Sequence, residues 1–335
     1  MIRFGLLLTN QHPPADPPDK RFAETVEQVR VARDLGFDPL VFGQHFLAQE
    51  FTMLQPAIAA ARLAAEAGSM RVGVTIFLLP LLNPVAVAEE AASLDVVTGG
   101  RFIFGVGLGY REVEDRAFGV GPGERVDRLV AHLDVVKKLW AGEPVSLDTP
   151  YCRLEGATTA TRPVQRPHPP IWVAANNDRA VERAAEIGDT WVINPHATVA
   201  TIARQLGLYR EARKRAGRPF PAELPMMREI AVGESREAAY RVARPHLETK
   251  YRAYVAWGQH RVLPEDDDMT QSFDDLLRDR FILGDAGDCA EQIQRCVEAT
   301  GATTMIFRVH WPGMPHEAVV RALRVLGEQV RPRLR

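Results

Sequence analysis

The feature that most constrains this chain is an alternation. Short, wholly apolar runs rich in β-branched residues recur between longer stretches that carry an apolar residue every three or four positions. Such a pattern marks strand–helix units around a parallel sheet, whose strands are covered on both faces and therefore show no polar alternation. Strands are expected over 3–9, 39–42, 71–78, 102–107, 171–174, 190–193, 226–232 and 304–309. Helices are expected between them, over 21–35, 56–67, 84–97, 125–140, 178–187, 199–216 and 286–299. In the third helix Val85, Ala88, Ala92 and Val96 are read as the buried stripe, and Gly99-Gly100 as the stop. Repeated right-handed crossovers close naturally into a (β/α)8 TIM barrel, with an open doubly wound sheet as the alternative.

A chain of 335 residues fits one such barrel over 1–335. Two segments depart from the repeat. Residues 142–169, rich in Pro and Thr, read as an excursion before the fifth strand. Residues 244–281 hold Tyr251, Tyr254, Trp257, His260 and the acidic run Glu265-Asp266-Asp267-Asp268, and read either as an active-site wall or as an extra surface helix with a solvated loop.

With 46% apolar and 25% charged residues the core needs no metal or disulfide to hold it. The net charge of −2, with both signs interspersed, gives no positive field for nucleic acid or an anionic membrane, so neither partner is expected. The apolar start Met1 to Leu8 is too short for a signal segment and reads as a buried strand. Cys152, Cys289 and Cys296 are odd in number and lack metal-ligand spacing, which fits small buried side chains in a reducing, cytoplasmic compartment.

Several strand ends carry candidate chemistry. Gly105-Val106-Gly107-Leu108-Gly109 is spaced G-x-G-x-G rather than G-x-G-x-x-G, and charged Arg111 to Asp115 follow it, so a Rossmann fingerprint is rejected. The glycines either let backbone approach a flat ligand, permit a bulge, or form a tight turn. His45 follows the second strand, where barrels keep catalytic groups, and suits proton transfer near neutral pH; a structural histidine is the bland alternative. Asn176-Asn177-Asp178 either favours phosphate at a helix start or is a simple cap. Arg308, His310 and Trp311 close the last strand, where barrel phosphate sites also occur, and Arg228 and Glu229 read as an ion pair or as outward-facing residues. No zinc-protease, Ser-hydrolase or P-loop motif is present.

The run Leu78 to Glu90, continued by Ser93-Leu94-Asp95 and by Thr98 to Gly107, resembles the bacterial luciferase-like monooxygenase family. Phe118-Gly119, Glu124-Arg125, Pro169 to Ala175, Ala184 to Asp189 and Gly284 to Asp288 extend the likeness over nearly the whole chain. The resemblance implies a (β/α)8 barrel with a non-covalent flavin or deazaflavin at the carboxyl face. It implies a backbone bulge, often with a non-proline cis bond, at Thr75-Ile76 behind the ring, cofactor phosphate near Asn176, Asn177 and Arg179, and His45 as acid/base. Gly107 stands where luciferase has a Cys near the flavin, Leu108 where it has a phosphate-binding Arg, and Gln44 replaces one His, so light emission is not supported. The expected activity is a monooxygenase using reduced FMN from a separate flavin reductase, with O2, on a small organic substrate. The alternatives are a reductase or dehydrogenase dependent on coenzyme F420 and a non-catalytic flavin-binding subunit. A homodimer is expected by the same resemblance.

Overall fold

The structure, a computed structural model, describes residues 2–334. Its first half alternates as β1 (Arg3–Leu8), β2 (Gln11–His12), α1 (Pro18–Asp34), β3 (Leu40–Phe42), β4 (Thr52–Met53), α2 (Pro56–Leu63), β5 (Val72–Leu78) and α3 (Pro84–Val97). Then come β6 (Phe102–Gly107), α4 (Glu112–Ala117), α5 (Arg125–Ala141), β7 (Val145–Thr149), β8 (Cys152–Ala157), β9 (Ile171–Ala174), α6 (Asp178–Ile187) and β10 (Thr190–Val192). The last part holds α7 (Val199–Arg215), β11 (Pro225–Val232), α8 (Arg236–Ala256), α9 (Phe273–Leu276), β12 (Phe281–Gly284), α10 (Ala286–Thr300), β13 (Thr304–Arg308) and α11 (His316–Val325).

The main sheet is parallel and curled, with strand order β10-β9-β6-β5-β3-β1-β13-β11-β12. Just past β10, Ile193 bridges to Met226, donating to the Pro225 carbonyl at 3.0 Å and accepting from the Met227 amide at 2.8 Å. Leu7, Val41, Ile103, Trp172, Val192, Met227 and Ile306 fill the concave side, while the larger apolar cluster lies between the sheet and the helices outside it. Both faces are thus dry, which is why the strands read as unbroken apolar runs.

Four local readings are corrected. Val96 is 51% exposed, and the buried face of α3 runs instead through Val87, Ala88, Ala91, Ala92 and Asp95. The Asp95 carboxylate, fully buried, accepts from the amides of Val164 at 2.7 Å and Gln165 at 2.9 Å and pins the excursion to α3. Within that excursion β7 and β8 pair as an antiparallel hairpin. The second irregular segment begins earlier than expected: Ser235 caps α8 by accepting from the Ala238 amide, and the helix continues through Pro245. Its acidic loop is not simply solvated, because Asp267 is buried against Arg280, and the segment ends in an additional strand, β12.

Among the described residues no helix is long and apolar enough to cross a membrane. Burial pushes the Cys289 thiol up to about 12 and raises that of Cys296, so both remain small apolar fillers. All three cysteines are free.

Candidate active site

The carboxyl ends of the strands surround a cavity whose floor is the apolar plug of the curled sheet: Leu7, Val192, Met227, Ile76 and Ala174. Polar side chains stand only around its wall. They include Gln11 of β2, Gln44 and His45 after β3, Thr75 of β5, Tyr110 after β6, Asn176 and Asn177 after β9, Asn194 and His196 after β10, and Arg308 at the end of β13, with Lys250 and Tyr254 added by α8.

His45 is held from both ring nitrogens. Its Nδ1 lies 3.1 Å from Glu114 Oε1, and the same oxygen accepts from the Phe46 amide at 2.8 Å and from Arg111 Nη1 at 3.2 Å. An oxygen collecting other donors takes the Nδ1 proton as well, which leaves Nε2 with the lone pair in the neutral ring. Tyr110 Oη is 3.3 Å from that Nε2. Burial, reinforced by Tyr254 and Glu114, pushes the Tyr110 phenol well above its usual range, so it stays protonated and can donate. Trp257 packs edge-on against the imidazole with ring centres 5.1 Å apart, and the Arg111 guanidinium sits 4.2 Å over the Trp257 ring. The ring is therefore fixed in orientation and tautomer beside the cavity.

Across the wall, β5 loses register with β6 between Val74 and Phe77, and the Thr75–Ile76 peptide is cis. The glycines of β6 make room for this bulge. A Cβ on Gly105 would lie 2.4 Å from the Val74 carbonyl oxygen and 2.9 Å from Thr75 Cα, and one on Gly107 would lie 2.2 Å from Ile76 Cδ1. Of the open readings of the glycine run, the bulge is the one observed, and Gly107 serves the cavity by admitting the Ile76 side chain rather than by lining it. Thr75 Oγ1 is buried and has no partner among the described residues.

Asn177 caps α6, accepting from the Ala180 amide at 3.0 Å, and Asn176 Oδ1 accepts from Asn194. Both line the cavity. Arg179 does not; it is exposed on the outer side of the first turn of α6.

A charged group lies on the β11 and β13 side, and of its members Lys250 was not foreseen from the sequence. Glu229 pairs with Lys250 and accepts from Trp311 Nε1 at 2.6 Å, so the expected pairing with Arg228 does not form; Arg228, fully buried, donates to the Met227 carbonyl at 3.2 Å. Burial and the nearby Arg308 bring Lys250 down to about 7. His310, behind this wall, is held neutral by burial, with its pKa lowered to about 3. Sequence reasoning also missed Glu114 and Tyr110. The one signal available was Arg111 and Glu114 spaced three apart after a strand end, charges that served only to reject a Rossmann fingerprint.

Known proteins match this chain in sequence and in fold. The oxygenase component of a flavin-dependent trigonelline monooxygenase from Acinetobacter baylyi is 24% identical, with 99% of this chain and 95% of that protein covered. The FMN-bound oxygenating constituent of 3,6-diketocamphane monooxygenase from Pseudomonas putida superposes with a TM-score of 0.83 at 18% identity, covering 100% of this chain and 99% of the other. An F420-dependent secondary alcohol dehydrogenase gives a TM-score of 0.80 at 19% identity, again covering 100% and 99%. The sequence model of the luciferase-like monooxygenase family matches residues 2–304, and the chain is an enzyme of that family.

Proposed function

We propose that this chain is the oxygenase component of a two-component system, acting on a small organic substrate with reduced FMN from a separate reductase and with O2. The observation that carries the reading is the oriented His45–Glu114 pair facing a cavity walled by the β5 bulge. The relative from Acinetobacter baylyi is itself an oxygenase component, which supports a separate reductase. The curled sheet, with its Ile193–Met226 bridge, supports reading the whole as a closed (β/α)8 barrel of one domain.

The residues present fit a planar, phosphate-bearing cofactor. Thr75 and Ile76 would carry the face of the ring, and the unpaired Thr75 hydroxyl supplies a hydrogen-bonding group there. Asn176 and Asn177 stand at the start of α6, whose first amides and dipole favour an anion. Arg179 would contribute only charge from outside the cavity. Bound reduced flavin supplies the electrons and activates oxygen. His45 Nε2 takes up or returns a proton at the reacting oxygen, with Glu114 stabilising the imidazolium that forms. Trp257, Tyr254 and the apolar floor keep water from the reacting atoms.

A second reading, hydride transfer with coenzyme F420, is supported by the fold of the F420-dependent dehydrogenase. Two-fold pairing is supported by Ile58 on α2 and by Val96 and Val97 on α3, which are 75%, 51% and 60% exposed. The free, buried cysteines suit a cytoplasmic location. The functional test supplies FMN, NADH and a flavin reductase under isotopically labelled oxygen, with a panel of small organic substrates. One labelled oxygen atom entering a product is expected. Oxidation of a substrate without label, supported by F420 alone, would overturn the reading.

A further inference from the structure

The wall formed by β11, β13 and α8 holds more positive charge than its own acids neutralise. Lys250 and Glu229 pair with each other, and the second Glu229 oxygen is taken by Trp311. Arg308 has no carboxylate within ion-pair distance among the described residues. Its side-chain hydrogen-bonding partners are neutral, Gln11 Oε1 at 3.3 Å from Nη1 and the Tyr254 hydroxyl, and its Nε is buried without a partner among the described residues. Arg308 is 8% exposed and lines the cavity. A guanidinium taken out of water without a counter-charge carries a large desolvation penalty, so such a group is normally completed by an anion. His196 on the same wall supplies no counter-charge; burial, then Lys250 and Arg308, holds it neutral.

We propose that Arg308, with Lys250 behind it, binds an anionic oxygen of the substrate, and that the substrates of this enzyme are small acids with an apolar or ring-bearing body. The apolar body would lie over Leu7, Val192 and Met227, which form the cavity floor beside this corner. The sheet order sets the corner apart from the other two anchoring places. Between β5 with its bulge and β13 stand β3 and β1, and α6 with its free amides follows β9 beyond β6. A flavin face on Thr75-Ile76 with its phosphate at α6 leaves Arg308 to the second reactant. The inference rests on the function proposed above in taking those two places as the cofactor's.

The test is isothermal titration, under anaerobic conditions, of the protein alone and of its complex with reduced FMN. The probes are phenylacetate and benzoate, each against its amide. At least one acid is expected to bind roughly tenfold or more tightly than its amide, the size of a charge-assisted hydrogen bond. Arg308→Gln abolishes that preference and Arg308→Lys keeps part of it, while affinity for reduced FMN is unchanged. Equal binding of acid and amide, or no binding of either acid, overturns the proposal in the wild-type protein, whether or not the variants fold. So does an Arg308→Gln variant that keeps the acid preference and loses reduced FMN, since the corner then serves the cofactor. Selective binding of the acid by a protein that takes up no flavin would leave this proposal standing and remove the function it was built on.

Discussion

His45 and Glu114, 69 positions apart in sequence, meet at 3.1 Å through Nδ1 and Oε1, and Glu114 is buried almost completely. A carboxylate behind a histidine fixes which nitrogen faces the reaction and favours the charged ring when it takes a proton. Glu114→Gln is therefore expected to lower turnover by roughly 10- to 100-fold, the scale of losing such a supporting partner, with affinity for reduced FMN unchanged. His45→Ala should lose turnover more fully and also keep flavin. Wild-type turnover in His45→Ala, measured as product formed per reduced FMN consumed, would remove His45 from the mechanism, and wild-type turnover in Glu114→Gln would remove the supporting role of Glu114.

The two glycines of β6 predict different penalties. Gly105→Ala drives a Cβ into backbone atoms of Val74 and Thr75 and should cost roughly 1–3 kcal/mol, as overpacking does. Gly107→Ala meets only the end of the Ile76 side chain, which can turn away, so stability should change less and flavin affinity more. Denaturant unfolding and flavin titration of both variants separate these outcomes.

Glu229 pairs with Lys250 and offsets part of the positive charge of the buried corner that also holds Arg308. Glu229→Gln should destabilise by roughly 3–5 kcal/mol, the cost of leaving a buried charge unpaired. Lys250→Met combined with it should recover much of that loss. A double-mutant cycle showing simple additivity would contradict the coupling.

Acid should destabilise the fold before the carboxylates titrate. His310 keeps a pKa of about 3 in the folded state because it is buried, against 6.5 when unfolded; His12, His132 and His196 are lowered by burial as well. As pH falls through 6.5 the unfolded chain binds protons that the folded chain refuses, so stability falls with pH from there toward 3. Between pH 7 and pH 5 His310 alone accounts for about 2 kcal/mol. His310→Asn should flatten that slope in thermal unfolding followed across the same pH range.

Eight strands of the main sheet were legible because they are buried runs such as Ile171–Ala174 and Phe102–Gly107, whereas β12, four residues long and embedded in an irregular segment, was not. Helix faces were less legible. In α3 small alanines lie on several sides, so apolar spacing alone does not separate a stripe through Val96 from the observed one through Val87 and Ala91. His45 was visible because strand ends are where such enzymes keep their chemistry. Glu114 was not, since nothing local ties a residue of α4 to the end of β3. Lys250 lay hidden in α8 among charged neighbours that face solvent, and only the fold reveals that its ammonium turns inward to Glu229.

The central claim, that this cavity takes reduced FMN, is tested most directly by anaerobic equilibrium titration of the purified protein with reduced FMN and, separately, with reduced coenzyme F420. Saturable one-to-one binding of reduced FMN, tighter than that of F420, is the predicted result. Tight binding of reduced F420 with no measurable affinity for FMN would contradict it.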